Sequence, residues 1–297
     1  MSRIPEHPAS LPPHLTVIPS HLNCRLSGGF MKFVIQPYVK RSLLCFVVLF
    51  LTACGADGGQ KLISEANDEW IKGRNQSAVG IFKTVIKKYP STPFAQEALF
   101  RLGEIYHFSL DNSAQAIIYF QEVMAADKAG SYNFDAQKYI AEIMEFTFKD
   151  LDQAIIEYQN LINKFDRPRE KGDHQYRIAS IYFKKRNYEQ ALVEFEVLLE
   201  KYPKSLRAGE AQFKILETLY TLKRCSDVRR YYDDFNEGST GSKYQGEMKF
   251  VVASCLEEEG MLKEAFDMFA SLGDNDVYPA LLQMKLEGIE KRIRKKK

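Results

Sequence analysis

A small residue (once a valine) followed four positions later by an aromatic one recurs along this chain at nearly constant spacing. The pairs are Ala78/Phe82, Ala116/Phe120, Ala154/Tyr158, Ala191/Phe195, Val228/Tyr232 and Ala265/Phe269, at intervals of 38, 38, 37, 37 and 37 residues. So even a period restricts the chain to an array of like units. Each unit is too small to close a core alone and must bury its apolar side against its neighbours. Two linkers repeat as well. YPSTPFAQEA (89–98) and YPKSLRAGEA (202–211) share Tyr, Pro, Ser/Thr, Ala and Glu-Ala at matching offsets.

Each unit reads as two amphipathic helices. In the fourth, His174 to Lys185 sets Ile178, Ala179, Ile181 and Tyr182 at helical spacing. Lys185-Arg186-Asn187 makes the turn. Tyr188 to Tyr202 follows, with Ala191, Leu192, Phe195, Leu198 and Leu199 on one face, and Pro203 ends it. Three second helices open with Asn112…Gln115, Asp150…Gln153 and Asn187…Gln190. The short polar side chain is expected to cap the first free N–H groups, with the Gln reaching back to the cap residue.

This pattern resembles the tetratricopeptide-repeat (TPR) family, where small residues let paired helices approach and a large aromatic fills the gap. The fourth unit supplies Ala179, Tyr182, Ala191, Phe195 and Pro203 at the family's spacing. Gly103, Tyr106, Ala116 and Phe120 match in the second, with one extra residue in its turn; the first, fifth and sixth are degenerate. The resemblance implies an all-α, right-handed solenoid of about six hairpins over residues 60–275, with a capping helix and basic tail over 276–297. It also implies a binding surface along the first helices. Phased on the fourth unit, the groove-facing candidates are Trp70 in the first unit and Phe100, Glu104 and Phe108 in the second. Glu142 and Glu145 follow in the third, Tyr176 and Phe183 in the fourth, Phe213, Glu217 and Tyr220 in the fifth, and Phe250 and Glu257 in the sixth. Aromatic anchors among acids suit capture of a helical or extended basic segment of another protein.

From Met31 the chain reads MKFVIQPYVKRSLLCFVVLFLTAC. Lys32, Lys40 and Arg41 precede an apolar run, Leu43 to Leu51, too short to span a bilayer. Leu51-Thr52-Ala53-Cys54 resembles the lipobox of bacterial lipoproteins. That resemblance implies a signal peptide over 31–53, cleavage before Cys54, acylation of Cys54 and a flexible tether over 54–59. Several acyl chains would make the attachment stable. Gly55, rather than Asp, suggests the outer membrane by the sorting rule of enteric bacteria. Translation is expected to start at Met31, with no ordered structure in the proline-rich residues 1–30. The Tyr-Pro linkers resemble those of envelope TPR proteins: the TPR lipoprotein of the outer-membrane β-barrel assembly machinery, the Tol–Pal-associated TPR protein and pilus pilotins. YPSTPFAQ is most like the first of these.

The formal charge of +2 conceals an uneven distribution. Residues 1–53 carry a net +4 and the last seven +6, leaving the body between them at −8. An acidic body argues against nucleic acid as a partner. Downstream of Cys54 the histidines are His107 and His174, in no metal-binding or nucleophile-activating pattern, and neither an HExxH, a GxSxG nor a phosphate-cradling glycine loop occurs. No catalytic residue, metal or cofactor is therefore expected. Glu257-Glu258-Glu259 reads as a solvated helix end. Cys225 and Cys255, in adjacent units, leave a disulfide open; the first lying near a turn and the second within a helix weighs against it. The expected function is a lipid-anchored periplasmic scaffold in outer-membrane protein assembly, with Tol–Pal-type envelope maintenance or a pilotin role as alternatives. Less favoured are a peptidoglycan-acting enzyme accessory, which would need a catalytic domain, and a cytosolic TPR co-chaperone, whose lysine and asparagine clamp does not suit an acidic groove.

Overall fold

The computed structural model describes residues 58–238, 243–273 and 278–295. The expected extension over 1–30, the expected signal peptide over 31–53 and Cys54 lie outside them. Among the described residues every regular element is helical. The first helix of each pair alternates with the second: α1 (58–71) and α2 (Asn75–Lys88), α3 (Pro93–Glu104) and α4 (Ser113–Ala126), α5 (Asn133–Glu142) and α6 (Leu151–Lys164). Next come α7 (Pro168–Lys184) and α8 (Tyr188–Lys201), α9 (Ala208–Thr221) and α10 (Cys225–Gly238), α11 (Gln245–Glu258) and α12 (Leu262–Ala270), and finally α13 (Pro279–Lys295). Each helix packs on the next. First helices also touch across pairs, α7 on α9 and α9 on α11, which gathers them on one side of the stack.

The periodic pairs are the packing unit. Ala78, Ala116, Ala154, Ala191, Val228 and Ala265 are fully buried, as are the rings of Phe82, Phe120, Phe195 and Phe269; Tyr158 and Tyr232 are nearly so. Each aromatic wedges between its own pair and the next, and burying one is worth about 2–3 kcal/mol. Gly103 shows why small residues face these rings, since a Cβ there would collide with Phe120. At the far end, α13 buries Leu282 and Ile289 on the last pair and turns Met284 outward.

The turn geometry accounts for the two spacings. A left-handed residue follows the first helix in all six pairs, Gly73, Asp111, Lys149, Arg186, Lys223 and Gly260, and in pairs one, four, five and six it closes a regular α-helix. The next N–H reaches back to the third-last helical carbonyl, as in Asn187 to Tyr182 at 3.0 Å and Arg224 to Leu219 at 3.0 Å. In pairs two and three the helix widens into a π turn, Ile105–Ser109 and Ile143–Phe148, before Asp111 and Lys149, which takes up one more residue. Those are the two units spaced at 38. Second helices start as expected in part. Asn112, Asp150 and Asn187 accept from the N–H of Gln115, Gln153 and Gln190 at 3.0, 3.1 and 3.4 Å. Gln153 and Gln190, however, run forward, donating to Glu157 and Glu194 at 2.5 and 2.8 Å.

Four expectations are corrected. Gly58 and Gly59, expected in the tether over 54–59, belong to α1 and lie against Tyr89 and Phe94 where a Cβ would clash; residues 54–57 lie outside the described residues. The first helix of the fourth pair starts at Pro168, not His174, since proline suits the first helical turn. Glu257, Glu258 and Glu259 are not simply solvated. They pair with Lys285 and Arg292, with Lys223, and with Arg229, tying α11 to α13, α9 and α10. Cys225 and Cys255 form a disulfide, their Cα atoms 5.4 Å apart. Antiparallel packing sets the start of α10 beside the end of α11, so a turn and a helix interior meet.

Closing a 30-residue loop, the bridge should stabilise the fold by about 3–4 kcal/mol. Cys225→Ala/Cys255→Ala should lower the urea midpoint accordingly; an unchanged midpoint would mean that the bond does not form. His174 offers a second test. Its ring lies 5.9 Å from those of both Phe134 and Tyr158, and burial pushes its pKa down to about 4. The unfolded chain takes up this proton near pH 6.5 and the folded chain only near 4, so acidification through that window favours unfolding. The Tm of the wild type should fall more steeply from pH 6.5 to 4 than that of His174→Gln, and parallel slopes would refute the assignment.

Candidate functional site

The first helices meet side by side, so residues at equivalent positions form rows across the stack. The last inward-facing position reads Ile71, Phe108, Phe146 and Lys184 along the first four pairs. Ile71 is 83% exposed, Phe108 60% and Phe146 50%. Three uncovered apolar side chains in a row are more than the scattered exposure a surface tolerates. Phe108 and Phe146 sit in the two π turns. Phe108 rests edge-on against Tyr139 at 5.6 Å, and Phe146 lies under Arg177 and Lys184 at 5.2 and 5.4 Å.

Several expected groove residues are spent within the stack. Phe100 is buried against Phe120, Tyr132 and Tyr139 at 5.7, 4.9 and 5.9 Å. Buried Tyr176 donates its hydroxyl to Glu210 at 2.7 Å. Trp70, half-buried, donates to Ser109 at 2.9 Å, tying α1 to the first π turn. Phe213 stacks on Tyr244 at 5.9 Å, and Phe250 meets Phe269 edge-on at 5.1 Å. Phe183 stays partly open beside Tyr188, and Tyr220 donates to Glu258 at 2.6 Å.

The acids are not free either. Glu104 pairs with Arg101 at 2.7 Å, Glu217 with Lys214 at 2.5 Å, and Glu257 with Lys285 and Arg292 at 2.7 and 2.8 Å. Glu142 lies 3.8 Å from Lys138. Glu145, expected in the groove, is 3% exposed. It accepts from Tyr158 at 2.9 Å and pairs with Lys184 across to the next unit. The π turn explains the miss: one extra residue rotates the face, so Phe146 emerges where Glu145 was expected. Burial, together with Glu104, pushes the Tyr139 pKa up to about 12, and burial with Glu258 does the same to Tyr220. Both phenols remain neutral donors at physiological pH.

Three hollows run together along this face. Phe100, Glu104, Asp135, Lys138 and Tyr139 line about 260 Å³ between α3 and α5. Asp135 and Lys138 also line the next, about 340 Å³ at α5 and α7, with His174, Arg177 and Arg207. Arg177 and Arg207 in turn border about 420 Å³ between α7 and α9, with Tyr176, Phe183, Lys184, Glu210 and Lys214. These cations escaped the sequence reading, although Arg177 and Lys214 are one repeat apart on the helices that were phased. Among the described residues no cluster of His, Cys, Asp or Glu could hold a metal ion, and no helix is long and apolar enough to cross a membrane.

Comparison with known proteins bears on the fold. Two models of the tetratricopeptide repeat match residues 63–131 and 175–205. No curated protein matches the chain. Among solved structures, PilF of Pseudomonas aeruginosa is 14% identical, with 80% of this chain and 99% of that one covered and a TM-score of 0.44. The type IV pilus biogenesis factor PilW is 13% identical, with 77% and 98% covered and a TM-score of 0.44. A chain of the Naa15/Naa10 complex bound to HypK-THB is 12% identical with a TM-score of 0.50; 80% of this chain aligns to 35% of that longer one. Over its described residues the chain is an all-helical solenoid, and it carries tetratricopeptide repeats at residues 63–131 and 175–205.

Proposed function

We propose that this solenoid is a lipid-anchored periplasmic scaffold, non-enzymatic, that holds a segment of another envelope protein along its first-helix face. The observation that carries the reading is the row of uncovered Ile71, Phe108 and Phe146 beside three connected hollows. Rigid stacked helices keep such a surface preorganised, so little ordering cost is added on binding. Aromatic side chains standing in shallow hollows are the usual anchors of a protein interface. The lipobox-like run ending in Cys54 supports attachment to a membrane, and YPSTPFAQ supports a place in outer-membrane protein assembly. The basic-segment expectation is kept for the α3–α5 end, where Asp135 lines the hollow.

Two measurements test this. Wild-type protein should incorporate radiolabelled palmitate and Cys54→Ser should not; unlabelled wild type contradicts the anchor. Affinity purification from membranes should recover β-barrel assembly subunits, and Phe108→Ser/Phe146→Ser should cut recovery several-fold with an unchanged circular dichroism spectrum. Tol–Pal or pilus components in their place would move the scaffold to that machinery. Capture indifferent to the double variant would contradict the surface.

A further inference from the structure

The three hollows differ in charge along their length, and this bears on what the surface holds. The α3–α5 hollow has two carboxylates, Glu104 and Asp135, against one cation, Lys138. The middle hollow balances four cations with four acids. The α7–α9 hollow has four cations, Arg177, Lys184, Arg207 and Lys214, against Glu210 alone. Their other partners stand back from it. Glu145 is buried behind Lys184, while Asp173 and Glu217 do not line the cavity. Arg177 is held more loosely, lying 3.9 Å from Glu145 and over the Phe146 ring at 5.2 Å.

The cations are also placed on aromatic faces. Arg207 lies over Tyr176 at 5.2 Å, and Lys214 over Phe183 at 5.5 Å. A cation over a ring is partly dehydrated on one side and keeps its other side for an anion. A carboxylate entering here would meet several donors over an apolar floor, where charge-assisted hydrogen bonds are stronger than in open water.

We infer that the trough selects an extended partner segment with separated charges: a basic residue in the α3–α5 hollow and acidic side chains in the α7–α9 hollow. The inference rests on the scaffold reading and adds the chemistry of the partner. The two hollows are two repeats apart. At helix separations of about 10 Å the span is about 20 Å, or about six residues of extended chain. The acidic group is a side chain of the segment, seated by Arg177 and Lys214, and the intervening apolar residues lie against Tyr176 and Phe183.

The test uses fluorescein-labelled peptides with acetylated and amidated ends, read by fluorescence anisotropy against the full-length protein. Lys-Lys-Thr-Phe-Ser-Leu-Glu-Glu carries separated charges; Lys-Glu-Thr-Phe-Ser-Leu-Lys-Glu has the same composition with charges mixed. The first should bind at least fivefold more tightly. Arg177→Glu/Lys214→Glu should erase that preference, and Arg177→Gln/Lys214→Gln should weaken it. Lys87→Glu, an exposed charge change on α2, should leave it intact, and thermal melts confirm folding of each variant. Equal affinity for the two peptides, tighter binding of the mixed one, binding only by a free carboxyl terminus, or no binding up to millimolar peptide would each overturn the inference. Membrane partners still captured in any of those cases would leave the scaffold reading standing, so the two can fail separately.

Discussion

The contact on which everything else depends is an aromatic ring seated against small residues, repeated once per unit. Phe82, Phe120, Phe195 and Phe269 show no solvent exposure, although each belongs to a hairpin too thin to hide it. The ring reaches into the interface with the neighbouring pair, so its burial belongs to two units at once. Nearest-neighbour coupling of this kind makes the stack stable where one hairpin would not be. It also explains why α13 is needed. The last pair would otherwise leave Leu272 and its neighbours facing water, and α13 covers them with Leu282 and Ile289.

With the stack fixed by these rings, variation is confined to the turns and the inward face. All six first helices close on a left-handed residue, and two of them widen into π turns before it. The π turns add one residue without disturbing the ring contacts downstream, since Phe120 and Tyr158 stay buried. What they change is the face: Phe108 and Phe146 are pushed out while Glu145 is drawn in to hold Lys184. The fold thus stays regular on its second-helix side and becomes irregular on its first-helix face. The disulfide adds a covalent tie between α10 and α11, next to ion pairs from Glu258 and Glu259 that join the same region.

The helical pairs, their order and their buried aromatics were legible in the residues, because a period of 37 to 38 survives noise in any one unit. The caps Asn112, Asp150 and Asn187 were legible for a local reason: their side chains act within three residues. The inward face was less so. Phasing on a regular helix pointed to Glu145, and the π turn brought Phe146 forward, a change no uniform periodicity can encode. Phe100 and Tyr176 had the right phase, but neighbouring rings and Glu210 occupy them. Arg177, Arg207 and Lys214 were missed because long charged side chains read as solvent-facing until the aromatic faces beneath them are placed. The disulfide required knowing which helix ends lie side by side, a tertiary fact.

Amide hydrogen exchange on Phe195→Ala, the ring between the fourth and fifth units, tests the shared-burial claim most directly. Removing a buried phenylalanine typically costs about 3–5 kcal/mol. Protection should fall in α7 and α8, fall nearly as far in α9 and α10 of the next unit, and persist in α2 and α3. A loss confined to α7 and α8, with α9 and α10 exchanging as in the wild type, would show that each hairpin stands on its own and contradict the account.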